Sequence, residues 1–145
     1  LFQQTGNALH LFTQPRKAWL GAQQRKLQAQ HQQIEALGLK QAGAPLGIDN
    51  YWDERGYGFD AAIPVDRTDV ALQAPVQAGT SYAGRALRLR HIGGYDGLVP
   101  ALEQLRAYAQ IHDLKTRDRV YSEFVSDPGS TAEAELITDL YLPVE

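Results

Sequence analysis

The sequence predicts an α+β domain built from two strand–helix–strand–strand repeats, and three observations carry that prediction. Short strand-like stretches flank two longer helix-like ones, and their order is written twice along the chain. The helix ends share a pattern, "IEAL" at 34–37 against "IHDL" at 111–114. The closing strands share another: "FDAAIPV" matches "ITDLYLPV", with Asp60 opposite Asp139, Pro64 opposite Pro143 and Val65 opposite Val144. One two-layer half buries too little surface alone, so a duplicated unit needs its partner to complete a core. Two facing halves also leave a crevice at their pseudo-two-fold axis, a common place for a pocket.

Taken in order, "LFQQTGNALH" shows no sustained period and reads as a lead-in, and Lys17–Ala22 reads as a strand. The stretch "QQRKLQAQHQQIEALGL" is rich in helix formers, carries Leu27, Ile34 and Leu37 near one stripe, and ends on Gly38 as a cap. A strand in "PLGIDNYWDER" then turns at Arg55-Gly56 into a second strand over 57–65. Residues 66–83 read as a connection, broken by Pro75, Gly79 and Ser81. In "RALRLRHI" (85–92), Leu87 and Leu89 alternate with Arg88 and Arg90, the period of a strand with one apolar face. A glycine-rich hinge, "HIGGYDGL", leads into a helix that starts at Asp96, with Leu98, Leu102, Leu105, Ala109 and His112 on its apolar stripe. Pro100 falls in the first turn, where it is tolerated. The segments "RVYSEFVSDPG" and "ELITDLYLPVE" close the chain as two strands. One domain, 1–145, follows, with repeat one over about 11–66, a connection over 67–83 and repeat two over about 84–145.

Composition narrows the function classes. A net charge of −3 argues against a surface that grips nucleic acid over the whole molecule. With no cysteine there is no disulfide framework, thiol nucleophile or Cys-type zinc site. The histidines, His10, His31, His91 and His112, show no metal-ligand spacing, and no phosphate loop or Ser-His-Asp order is present. No apolar run approaches the roughly 20 residues that a membrane span needs. The chain starts at Leu1 without a methionine, which leaves room ahead of it for a leader or a DNA-binding domain.

The motif order "RHIGGYDGL", a helix, "SDPG" and a terminal "TDLYLPV" resembles the GyrI-like small-molecule-binding domains. These also occur as effector-binding domains of AraC- and MerR-type regulators such as Rob and BmrR. The likeness is strong over 85–145 and weaker over 13–65, where it rests on "LGIDNYWDERGYGFDAAIPV". It implies two βαββ repeats in a curved, mainly antiparallel sheet, with two helices on one face and an aromatic-lined groove between the repeats. It further implies a hydrophobic ligand, cationic in several relatives with a buried glutamate as counter-ion. Some stand-alone relatives use that glutamate to hydrolyse cyclopropane-bearing electrophiles.

The resemblance makes Tyr51, Trp52, Tyr95, Ser122, Glu123, Phe124 and Tyr141 the candidate ligand-binding residues. Glycines 93 and 94 let the strand reverse into the helix, which frees Tyr95 to project toward the crevice. Counted back from Asp127-Pro128, the family glutamate falls on Ser122 and its following tyrosine on Phe124. Glu123 is one residue off, and strand neighbours point to opposite faces, so it reaches the groove only if a bulge shifts the register. It is the one catalytic candidate. Asp49 and Asp60 are substitutes from the first repeat, read first as surface or turn acids. Tyr51 and Trp52 sit on the strand corresponding to 125–126, and alternation aims one of them at the groove. Arg88 and Arg90 are read as solvated. If their side formed the groove, it would favour anionic or neutral ligands.

The expectation is a cytoplasmic domain that binds a hydrophobic small molecule, alone or as the sensor of a transcriptional regulator. No cofactor, membrane contact or direct nucleic-acid contact is expected of it. A small-molecule hydrolase and a gyrase-inhibitor-like interaction module are the alternatives.

Overall fold

The computed structural model describes the backbone at residues 2–4, 7–11, 14–15, 19–53, 56–74 and 76–145, and side chains at 25–49, 59–74 and 76–145. Its elements run β1 (Phe2–Gln4), β2 (Asn7–Leu11), β3 (Gln14–Pro15), α1 (Trp19–Ala36), β4 (Leu46–Asp53), β5 (Gly56–Pro64) and β6 (Val76–Thr80). They continue with β7 (Gly84–Ile92), α2 (Leu98–Ile111), β8 (Val120–Phe124) and β9 (Ile137–Pro143). One antiparallel sheet takes the order β1-β7-β9-β8-β4-β5-β2-β6, with β3 also on β5.

That order is symmetric about its centre. The first half reads β4-β5-β2 outward and the second β8-β9-β7, and the two halves meet along β4–β8. Registers agree residue by residue. Pro64 pairs with Ala8 as Pro143 pairs with Ala86. Asp60 pairs with Ile48 as Asp139 pairs with Glu123. On the central ladder Gly47 meets Ser122, flanked by Leu46–Glu123 and Ile48–Tyr121. An axis through the Gly47–Ser122 pair therefore exchanges the two βαββ units.

The helix ends repeat the same geometry. Leu39 N–H donates to Ile34 O and Leu114 N–H to Ala109 O, both at 2.9 Å. Gly38 at φ +65° and Asp113 at φ +51° hold the left-handed cap position. The chain then meets the ends of β5 and β9 alike, through Ala42 N–H to Pro64 O at 2.8 Å and Arg117 N–H to Pro143 O at 2.9 Å. These caps correct the expected match of "IEAL" with "IHDL". Ile34, buried at 8%, corresponds to Ala109, whereas Ile111 is 77% exposed. His112, expected on the apolar stripe, lies beyond the helix, exposed and against the Tyr108 ring at 4.2 Å.

Three other expectations need correcting. Residues 19–22 of the expected Lys17–Ala22 strand are the first turn of α1. A short apolar run cannot be told from a helix by period alone, and here good helix formers continue it. The lead-in contains β1 and β2, strands of 3 and 5 residues, too short for alternation to show. The 67–83 connection contains β6, which pairs with β2.

Both helices pack on one face. Ala101, Leu105 and Ala109 of α2 cover Leu87, Val120, Leu140 and Leu142. Ile34 of α1 joins Leu39, Ile63, Val65 and Val76. The other face has its own cluster, Leu46, Ile48, Ala62, Ala86, Tyr121 and Tyr141, with Tyr82 against it.

The halves differ where α1 meets β5. Cap equivalence puts Gln30 where α2 has Leu105, and Gln30 is fully buried. The Gln30 amide bonds the β5 backbone directly, donating to Ala61 O at 2.7 Å and accepting from Ile63 N–H at 2.8 Å. One turn earlier, the Lys26 ammonium donates to Phe59 O at 2.8 Å and stands 4.2 Å from the Phe59 ring centroid.

Candidate functional site

The site begins at the hinge after β7. Gly93 takes φ +129°, a conformation that side chains rarely adopt, and donates to Leu136 O at 2.8 Å. His91 Nε2 lies 2.8 Å from Gly94 O, so the ring ties its own strand end to the turn that follows. Tyr95–Gly97 form a 3-10 turn that feeds directly into α2. A Cβ on Gly97 would run into the His91 ring, 3.0 Å from Nε2. The hinge is therefore a packed reversal, and it presents Tyr95 edge-on to Phe124, with ring centroids 5.5 Å apart and planes at 75°.

Gly97→Ala is accordingly expected to destabilise the domain by about 1–3 kcal/mol, the range for overpacking. Most of that loss should vanish in a His91→Ala background, where the obstructing ring is gone. Thermal melts of the four proteins in the cycle measure this. Equal losses in both backgrounds would show that the His91–Gly97 contact does not brace the hinge.

Beyond Phe124 the strand bulges. Val125 and Ser126 both donate to Ile137 O, at 3.1 and 3.2 Å, so two residues face one. The β4–β5 ladder is interrupted at the corresponding place, between Asp49 and Tyr51. The bulge sends residues 125–129 out of the sheet. Asp127 then holds its turn, accepting from Gly129 N–H at 2.9 Å and Ser130 Oγ–H at 3.2 Å. Opposite stand Leu27, Gln28 and His31 of α1, with the loop at 41–45 between. Together with Tyr95 and Phe124 these segments line a half-open cavity of about 1140 Å³. Both repeats contribute walls, and the volume lies just above the roughly 300–1,000 Å³ usual for small-molecule pockets.

The candidates divide by strand face. Phe124 and Ser122 lie on the helix side, Ser122 buried at 6% beside the pseudo-two-fold axis. Register is regular through 121–124, and the bulge comes one residue too late to turn Glu123. Glu123 therefore lies on the opposite face, where its carboxylate accepts the Tyr141 O–H at 2.8 Å. Burial first, then that bond, pushes the Tyr141 phenol up. Tyr141 is 3% exposed within the Leu46–Ile48–Tyr121 cluster, so the structure does not bring it or Glu123 to Tyr95.

Arg88 and Arg90 share that second face and are not simply solvated. Arg88 reaches Asp139 at 2.7 Å, and Arg90 makes two bonds at 2.8 and 2.9 Å. The Arg90 bond first, then Arg88, holds the Asp139 carboxyl below its usual range despite burial. Asp60 is not a surface acid but 8% exposed within β5, and Asp49 is half-buried on the helix-side face opposite Val120. Tyr51 and Trp52 are in β4 by backbone, and their side chains lie outside the described residues.

Two parts of the cavity were missed in the sequence. The sequence places Leu27 on an apolar helix stripe and assigns Gln28 and His31 no site role, and Asp127-Pro128 reads as a turn and a landmark of the family pattern. Burial pushes the Tyr95 phenol up, and the charge of Asp127 adds to it, so the carboxylate stands within electrostatic reach of that ring. Among the described residues, no cluster of three or more His, Asp or Glu is placed to hold a metal ion. Among them too, no helix is long and apolar enough to cross a membrane.

Comparison with known proteins agrees with this architecture. Solved structures share the fold at low identity. The EcmrR C-terminal domain superposes with a TM-score of 0.77 at 14% identity, covering 100% of this chain and 99% of that one. A hydrolase from Listeria innocua gives 0.66 at 13% identity, covering 100% and 90%. SAV2435 bound to tetraphenylphosphonium gives 0.55 at 13% identity, covering 100% and 94%. No curated protein sequence matches the chain. The model of the GyrI-like small-molecule-binding domain matches residues 49–145, two thirds of the sequence, and the chain belongs to that family.

Proposed function

We propose that this domain binds a hydrophobic small molecule in the cavity between α1 and the β8–β9 hairpin, alone or as the sensor of a transcriptional regulator. The observation that carries the reading is the edge-on Tyr95–Phe124 pair at a cavity walled by both repeats. Aromatic rings grip flat apolar bodies through dispersion and cations through the ring quadrupole. Membership of a small-molecule-binding family supports it, as does a like-folded protein that holds a lipophilic cation.

Binding is favoured over turnover. Hydrolysis by general acid–base chemistry needs a carboxylate within hydrogen-bond reach of the substrate or a water. Ser122 stands where the family pattern places glutamate, and Glu123 is engaged by Tyr141 on the other face.

Titration with neutral, cationic and anionic aromatic dyes, read by dye fluorescence, tests the proposal. Micromolar binding of more than one hydrophobic dye is expected. Tyr95→Ala should weaken each by about three- to tenfold, the equivalent of one aromatic contact. Failure of every dye to bind, or unchanged affinity in Tyr95→Ala, would remove the cavity as the site.

A further inference from the structure

Neither Ser122 nor Glu123 lines the cavity: Ser122 is buried within β8 and Glu123 bonds Tyr141 on the opposite face. Of the described residues that line the cavity, Asp127 is the one carboxylate, and it is exposed. Its oxygens already accept from Gly129 N–H and Ser130 Oγ–H, but an ionised carboxylate has lone pairs for further donors. The loop's own bonds therefore hold it in place and leave it able to take a donor from a ligand. The Tyr95–Phe124 pair lines the same cavity.

Resting on the binding reading above, we propose that Asp127 is the counter-charge for an ammonium group at the cavity rim. The ligand class is then an amphiphilic amine, with an apolar body against Tyr95 and Phe124 and a protonated nitrogen near the surface. A cation with its charge buried within its apolar body fits less well. That charge would sit among described lining residues that carry no carboxylate apart from the exposed Asp127, and burying an unpaired charge is costly. A rim ammonium instead keeps part of its hydration and gains the carboxylate together with the Tyr95 ring. Because the pair is exposed, its contribution is modest and screened by salt.

The test compares two ligands with the same naphthalene body, one ending in a primary ammonium and one in a neutral hydroxyl. At low ionic strength the ammonium form should bind about five- to tenfold tighter. That preference should shrink to within about twofold in 1 M salt, where the screening length falls to about 3 Å. Asp127→Asn keeps an oxygen to accept from Gly129 N–H and removes the charge, so it should abolish the preference. Glu133→Gln, which removes a nearby acid outside the cavity lining, should leave the preference intact. The salt titration needs only the wild-type protein and stands even if the Asn variant folds poorly. A preference that survives Asp127→Asn, resists salt, or falls equally in Glu133→Gln would overturn the assignment while the binding reading stands. If neither ligand binds, both readings fall.

Discussion

Gln30→Leu is expected to lower unfolding free energy by roughly 2–4 kcal/mol, the cost of leaving two buried backbone groups unpaired. The substitution copies Leu105 from the other repeat and makes the helix interface more apolar, so a count of hydrophobic contacts alone would predict stabilisation. The opposite is expected because Ala61 O and Ile63 N–H are buried backbone groups that the Gln30 amide bonds directly. Equilibrium urea unfolding measures the difference, and a fall in Tm of roughly 5–15 °C should accompany it. A Gln30→Leu protein as stable as the wild type would show that these two backbone groups do not depend on the Gln30 amide.

Asp139→Asn is the second large effect, with an expected loss of roughly 1–3 kcal/mol at neutral pH. The carboxylate is 2% exposed, but its arginine partners are 37% and 47% exposed and can recover water when it is removed. That recovery keeps the loss below that of a fully buried pair. The pH dependence has a definite sign. The carboxyl is held below its ordinary range by Arg90 and Arg88, so its stabilisation is complete above the unfolded pKa of about 3.9. It is lost as pH falls through the lower folded value, where the native carboxylate takes up a proton. Wild type and Asp139→Asn should therefore differ by a constant amount above about pH 5 and converge in stronger acid. A gap that stays constant down to pH 2 would mean that the arginines do not act on this group.

Much of the fold was legible because the chain states it twice. Matched "IPV" and "LPV" endings placed Asp60 and Asp139 in equivalent positions, and the strand registers agree. The helix alignment was misread by two residues because Gly38 and Asp113 look unlike while sharing one cap conformation. Side-chain chemistry could not show that equivalence. The terminal strands escaped notice because short strands leave almost no period, and nothing in the sequence singles out Lys26 and Gln30 because their partners are backbone groups 31–33 residues away.

The candidate site was legible only in part, for a geometric reason. Ser122, Glu123, Phe124 and Tyr141 are close in the motif order, but strand alternation divides them between two faces. The family pattern names the strand, and only the register shows which side each residue takes. Asp127 was hidden differently. A bulge after Phe124 carries it from a turn motif to the cavity rim, and bulges leave no reliable trace in composition.

Mapping amide and aromatic side-chain NMR shifts during titration with a hydrophobic amine distinguishes the two faces in one experiment. If the cavity is the binding site, perturbations should concentrate at Leu27, His31, Tyr95, Phe124 and residues 125–129, with Tyr121 and Tyr141 nearly still. Shifts centred on Glu123, Tyr121 and Tyr141 instead would place the ligand on the helix-free face and contradict the assignment.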